Sequence, residues 1–309
     1  MSANELNYIT VVMASYNGSK YLSQQLDSIL QQTLPPNEVV VVDDASTDES
    51  SEILRQYTLH YPQLKYYSNP VNIGVVKTFE RALTLAKGEF IAFADQDDVW
   101  LPHKLEVLLA NIGDAWMVHS DAVLVDKDLN IISDNYNKQY KSYKFNRKLD
   151  YLMHNNVTGC TMLINRKLLN VSLPFPDAGV MHDNYLALMA FHFNQIVYVN
   201  QPLILYRQHD ENVTNILHLN YGKFIEYAKS KSALCKSLSS RDDFAANKRE
   251  IIFVYEYYAN IYKASLPSLK LLSWIWQSFS WKNFCGYLLL TCGSRKLAKF
   301  SYEVLNKLI

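Results

Sequence analysis

The chain has 309 residues, 49% hydrophobic and 19% charged, which is enough apolar material for a full core plus an appendage and excludes a disordered chain. Its 30 Lys and Arg match its 30 Asp and Glu, so no overall field draws it to nucleic acid, and no nucleic-acid partner is expected. Four cysteines, Cys160, Cys235, Cys285 and Cys292, lack CxxC spacing, and Met1 is not followed by a basic segment and an apolar signal region; a reducing, cytoplasmic setting fits this pattern.

Residues 8–13 (YITVVM) are apolar and β-branched and end in the turn signal Ala14-Ser15-Tyr16-Asn17-Gly18, after which Tyr21, Leu22, Leu26, Ile29 and Leu30 recur at helical spacing. The same order of strand, polar loop and helix repeats. Residues 38–42 (EVVVV) run into Asp43-Asp44-Ala45-Ser46-Thr47-Asp48, with Ser46 or Thr47 available to cap a helix over about 49–60. A third strand at 64–67 leads through Asn69-Pro70-Val71-Asn72-Ile73-Gly74 to a helix over 75–87, and after Gly88 residues 89–94 form a fourth strand. Continuous apolar strands alternating with amphipathic helices predict an α/β fold, a mostly parallel sheet covered on both faces. Ligands of such sheets bind outside the carboxyl ends of the strands, where every polar cluster named so far falls.

Farther along, residues 116–125 and 159–165 read as strands joined through a tyrosine- and lysine-rich loop at 135–148, followed by a helix over 181–193 and a strand over 195–199. Beyond Leu217 the alternation gives way to nearly continuous helix, which divides the chain into 1–216 and 217–309.

The densest chemistry is Asp95-Gln96-Asp97-Asp98, at the end of the fourth strand. Carboxylates this close raise one another's pKa unless a divalent cation offsets their charge, which points to a metal or nucleotide site. Asp98 is expected to cap the helix that follows, with Pro102 at an early helical position, but capping leaves Asp95 and Asp97 unexplained. Lys77, early in the third helix, could reach phosphates or simply be a solvated face.

In this order the motifs resemble the family-2 glycosyltransferases, inverting nucleotide-sugar enzymes of GT-A fold, over residues 8–214. The resemblance implies a GT-A (Rossmann-like) domain with a helical C-terminal extension. It implies that Ala14, Tyr16, Asn17, Asp44, Asn72 and Gly74 surround the nucleotide, Tyr16 stacking on a pyrimidine and Asp44 accepting from its ring N–H. It places Asp95 and Gln96 on the donor side, with Asp95 near the ribose, and Asp97 on a divalent cation, Mn²⁺ or Mg²⁺, bound to the diphosphate.

An inverting transfer also needs a base for the acceptor hydroxyl, and the family's catalytic Asp matches Asp183 in His182-Asp183, where many members carry Glu-Asp. A helix cap is the alternative for Asp183. Tyr206-Arg207-Gln208-His209 resembles a late segment of rhamnosyltransferase-like members, implying Arg207 as a donor phosphate clamp and His209 as a metal ligand. Residues 155–161 resemble the family's acceptor-side strand, so Gly159, Cys160 and His182 are expected to face the acceptor, Gly159 by permitting close approach. Cys160 itself is a packing residue rather than a nucleophile.

Residues 266–292 concentrate Trp274, Trp276, Trp281 and other aromatics among lysines, too interrupted to span a membrane but suited either to the bilayer interface or to packing against protein. The expected protein is a bacterial glycosyltransferase with a nucleoside diphosphate sugar donor, best matched by dTDP-L-rhamnose, and with UDP-hexose or UDP-N-acetylhexosamine donors open. Its acceptor would be a glycan or lipid-linked, and its place the cytoplasm or the cytoplasmic face of the inner membrane. A non-catalytic sugar-binding module is the contrasting reading.

Overall fold

A computed structural model describes residues 8–136, 148–209, 221–263 and 267–278. The chain forms two compact units, Met1–Phe175 with Met181–Val213, and Pro176–Val180 with Thr214–Ile309.

The first unit opens with β1 (Ile9–Ser15), α1 (Ser19–Leu30), β2 (Glu38–Asp43), α2 (Ser50–His60), β3 (Leu64–Ser68), α3 (Val75–Leu85) and β4 (Phe90–Ala94). These four strands pair in parallel, in the order β3-β2-β1-β4. All six residues of β2 and all five of β4 are buried, as unbroken apolar runs in a sheet covered on both faces require. Because the strands are parallel and in register, Val12 lying opposite both Val40 and Phe93, the residues following Ser15, Asp43 and Ala94 emerge at one edge. That edge carries the candidate site.

The chain continues through β5 (Val99–Trp100), α4 (Lys104–Ile112), β6 (Met117–Val125), β7 (Ile131–Ser133), α5 (Lys148–Met153), a 3₁₀ turn (Gly159–Thr161), β8 (Met162–Asn165), α6 (Lys167–Ser172), α7 (His182–Phe193) and β9 (Ile196–Arg207). Here the sheet becomes mixed. Strand β8 runs antiparallel to both β4 and β6, while β6 and β9 are parallel, giving the full order β3-β2-β1-β4-β8-β6-β9-β5 with β7 on β6.

Two features differ from the sequence-based expectation. The strand expected over 195–199 and the segment after it form one 12-residue strand. Its pairing with β6 shifts register around Asp121, which lies opposite Pro202, and a residue without an N–H is tolerated at such an irregularity. Asp98 is not a helix cap either: the next residues form β5, antiparallel to β9, and α4 starts only at Lys104, after Pro102.

The second unit holds α8 (Tyr221–Leu238), a 3₁₀ segment (Asp242–Asn247), α9 (Lys248–Lys263) and α10 (Leu269–Ser278), with no strand among the described residues. Helices α8 and α9 pack together, and both bury an apolar stripe, Leu234, Cys235 and Leu238 on one, Ile251, Val254 and Tyr258 on the other. Among the described residues no helix is long and apolar enough to cross a membrane. The expected loop over 135–148 lies almost wholly outside the described residues, as does most of the aromatic and basic tail beyond residue 278.

Candidate functional site

Three loops at the carboxyl edge are tied together by short polar side chains. Asn17, held at φ 49, accepts from the Thr47 N–H at 2.8 Å, and its own N–H donates to Ser46 Oγ at 2.9 Å. Ser46 gives its hydroxyl to Asp43, so it does not cap α2 as expected; Asp48 instead accepts from the N–H groups of Ser19 and Ser50, both at 3.0 Å. Gln96 was expected to face the donor, yet its amide folds back on the first loop. It accepts from the Tyr16 N–H at 2.8 Å and donates to the Tyr16 carbonyl at 3.0 Å. A Cβ on Gly18 would lie 2.2 Å from Gln96 Oε1, so the glycine makes room for this clamp. Tyr16 itself stays 45% exposed, its ring free to meet a ligand.

Asp44 is buried and already occupied. Its carboxylate accepts from Asn69 Nδ2 at 2.7 Å, from Ile73 N–H at 2.9 Å and from Gly74 N–H at 2.8 Å. This fixes the 72–74 loop, in which Gly74 takes φ 85 with open space beyond it and Asn72 is exposed. The glycine leaves the backbone bare at the start of α3. Lys77 is exposed and pairs with Glu80 at 2.8 Å.

The acidic run is the centre of the site. Asp97 Oδ2 lies 2.9 Å from His209 Nε2, a carboxylate and an imidazole side by side, both nearly buried. The ring of Tyr21 lies against both His209 and the Arg207 guanidinium, 5.1 and 4.4 Å between centres. Arg207 is not placed as a phosphate clamp. Only 2% exposed, it donates from Nε to the Asp97 carbonyl at 2.6 Å and through its other nitrogens to Lys127 O at 2.7 Å and Gln24 Oε1 at 2.6 Å. Its backbone N–H donates to Asp98 Oδ1 at 2.9 Å. The side chain therefore pins the turn that presents Asp97, a burial cost it recovers in charge-assisted bonds.

Behind this turn lies a cluster in which Asp98 and Cys160 are buried and Asp95 is partly so. Asp95, Asp98 and Cys160 bring ligand-type atoms within 4.8 Å of one another. Burial, then the neighbouring charges of Asp97 and Asp183, push the Asp95 carboxyl up to about 7, and burial raises Asp98 and the Cys160 thiol well above their usual ranges. Lys104, with no exposed surface, sits among them; burial drives its amine down to about 7 although Cys160, Asp98 and Asp95 all favour its charge.

Asp183 stands in the first turn of α7, half-buried, its Oδ2 accepting from the Gly159 N–H at 3.2 Å. A Cβ at Gly159 would come within 2.9 Å of His182 Nε2 and 3.6 Å of Asp183 Cβ, so the close approach this glycine permits is that of the α7 start. Cys160 and His182 were expected to face an acceptor, but burial takes both out of its reach. His182 packs against Phe79 and Phe93, 4.2 and 5.5 Å between ring centres. Among the described residues neither of its nitrogens has a hydrogen-bond partner, and burial holds the ring neutral down to about 3.

The fold thus gathers Asp95, Asp97, Asp98, His209 and Asp183 from three separate stretches of chain, and a second group, Asp44, Asn72 and Gly74, beside α3. Sequence reasoning missed Lys104, Gln24 and Tyr21. The signal for Lys104 was its phase: it falls four residues before Leu108 and eight before Ile112, on the buried stripe of α4.

Comparison with known proteins locates the fold. The family model for glycosyl transferase family 2 matches residues 10–172, more than half of the chain. A glycosyltransferase of Nostoc sp. is 38% identical over 41% of this chain, and the dTDP-rhamnosyl transferase RfbG of Shigella flexneri is 30% identical over 65% of this chain and 72% of its own length. The chain spans 38% of the Nostoc protein and 64% of its matches in Mycobacterium bovis and Mycobacterium tuberculosis. Among solved structures, that of S. aureus TarS residues 1–349 with UDP-GlcNAc superposes with a TM-score of 0.61 at 17% identity, covering 94% of this chain and 82% of that 1–349 chain.

Proposed function

The chain belongs to glycosyl transferase family 2, and from that premise we propose that it transfers a sugar, with inversion, from a nucleoside diphosphate donor to a glycan or lipid-linked acceptor. The observation that carries the reading is the convergence of Asp97 with His209 and of Asp183 with the Gly159 N–H on one sheet edge. A binding module has use for the first pair but none for a base.

Asp97 and His209 fit a divalent cation, because a carboxylate oxygen and an imidazole nitrogen 2.9 Å apart are ligand types that Mn²⁺ accepts and Mg²⁺ tolerates. Such an ion would neutralise charge developing on the departing diphosphate. The protein's own part is positional. Tyr16, exposed beside the first strand, offers a face for a base, and Gly74 opens the backbone at the start of α3 toward phosphates. Asp183 takes the proton of the acceptor hydroxyl as its oxygen bonds to the anomeric carbon. The bond from that carbon to the phosphate oxygen breaks, and its electron pair leaves with the nucleoside diphosphate. The Gly159 N–H steadies one oxygen of Asp183 and leaves the carboxylate able to receive the proton.

The likeness to RfbG favours dTDP-L-rhamnose as donor, and the fold shared with TarS keeps a UDP-sugar as the second reading. A lipid-linked acceptor would place the work at the cytoplasmic face of the inner membrane, with the aromatic and basic tail as a peripheral contact. The test is release of UDP or dTDP from a panel of nucleotide sugars with Mn²⁺. One donor turned over, and turnover lost in Asp183→Asn with donor binding kept, is the expected result; an Asp183→Asn protein of near-normal rate refutes the assignment.

A further inference from the structure

A buried glutamine has no part in that chemistry, yet it touches the acidic run. Gln25 stands in the middle of α1, four residues after Tyr21 and three before Ser28, so the three side chains share one face of the helix. A buried amide is costly unless both of its ends are bonded. Nε2 donates to the Asp95 carbonyl at 2.7 Å, and Oε1 shares the Ser28 hydroxyl with the Gln25 carbonyl, at 2.9 and 2.8 Å. The Ser28 oxygen in turn accepts from the Trp100 N–H at 3.0 Å. Neither end of this series can be reversed, because a carbonyl only accepts and an N–H only donates. The bonds therefore run in one direction, from Trp100 through Ser28 and Gln25 to Asp95, and each polarises the next.

We propose that Gln25 is a positioning residue for the cation site. With Ser28 it fastens both ends of the Asp95–Trp100 segment to α1 and so sets where the Asp97 carboxylate stands. The same helix backs the other half of the pair. The Tyr21 ring lies against His209, and Gln24 accepts from Arg207, which holds the Asp97 carbonyl. One rigid element thus references both Asp97 and His209, whose side chains meet at 2.9 Å. The proposal deepens the glycosyltransferase reading and rests on it for what the pair binds. Gln32, just beyond α1, supplies the contrast. It is buried too and makes bonds of the same kind, from Nε2 to Leu101 O at 2.8 Å and to Oε1 from the Leu105 N–H at 3.1 Å, but these fall past the fastened segment.

The test uses the full chain as wild type, Gln25→Met, Ser28→Ala and Gln32→Met. Two readouts are taken, the thermal midpoint without metal, and calorimetric binding of Mn²⁺, alone and with UDP or dTDP. Gln25→Met and Gln32→Met should both melt lower, because each strips a partner from backbone groups inside the fold. Gln25→Met, and Ser28→Ala with it, should bind Mn²⁺ at least threefold more weakly, on the order of tenfold, while Gln32→Met binds as wild type does. Gln25→Met binding within threefold of wild type overturns the proposal, and so does an equal loss of affinity in Gln32→Met. If Gln25→Met fails to fold, Ser28→Ala, a smaller cut in the same series of bonds, is held to the same threshold. A wild type that binds Mn²⁺ but neither nucleotide defeats the glycosyltransferase reading alone, because Mn²⁺ affinity still ranks the variants. A wild type that binds no Mn²⁺ overturns the positioning role.

Discussion

Replacing His182 by leucine should change how the protein tolerates acid. The imidazole is 3% exposed, lies against Phe79 and Phe93, and has no partner among the described residues for either nitrogen, so nothing there compensates its protonated form in the folded state. Its folded pKa is about 3, against 6.5 for an ordinary histidine. A folded pKa below the unfolded one means that the unfolded chain binds the proton first. Stability is therefore complete above about 6.5 and falls as pH drops toward 3. Linkage puts the loss between pH 7 and pH 5 at about 2 kcal/mol for this one ring. His119, buried and held down to about 4, adds about the same. Urea unfolding at the two pH values measures the sum. Wild type should lose about 4 kcal/mol from the two rings, and His182→Leu about half of that, with stability at pH 7 equal to or above wild type. An unchanged pH dependence in the variant would show that His182 is not the neutral, unpartnered group described.

Arg207→Met should cost on the order of 3–5 kcal/mol, because it strips donors from the Asp97, Lys127 and Gln24 acceptors inside the fold; a thermal midpoint close to wild type would contradict the pinning role. His209→Ala should weaken Mn²⁺ binding by roughly tenfold or more while the metal-free protein melts near wild type, and calorimetry with unchanged affinity would remove His209 from the metal site. Gly88→Ala should destabilise by about 1–3 kcal/mol, since the added carbon would lie 2.6 Å from both Phe90 O and Thr10 N, backbone atoms that cannot rotate away; chemical denaturation checks it.

The parallel half of the sheet was legible because its cues are local. Runs such as EVVVV are buried on both faces, each ends in a polar loop, and a parallel register then carries every loop to one edge. Asp97, His209 and Asp183 were nominated through the resemblance of their motifs to a known family. Arg207 and Gln96 were assigned to the ligand because a sequence shows that a side chain can donate, not which acceptor reaches it first. In both cases a backbone carbonyl of the site itself does, that of Asp97 for Arg207 and that of Tyr16 for Gln96. Asp98 was taken for a cap because the short strand that displaces the helix exists only through pairing with β9, more than a hundred residues away.

By itself the sequence determined the α/β order, the carboxyl edge as the place of chemistry, and the identity of the acidic run, all of which follow from hydrophobic period and residue type within a few tens of residues. The tertiary structure alone decided which of those carboxylates faces a ligand and which is sealed inside. That choice depends on long-range neighbours, such as Arg207 behind Asp97, just as two phenylalanines seal His182. Burial and charge compensation depend on distance in space, and spacing along the chain does not encode that distance.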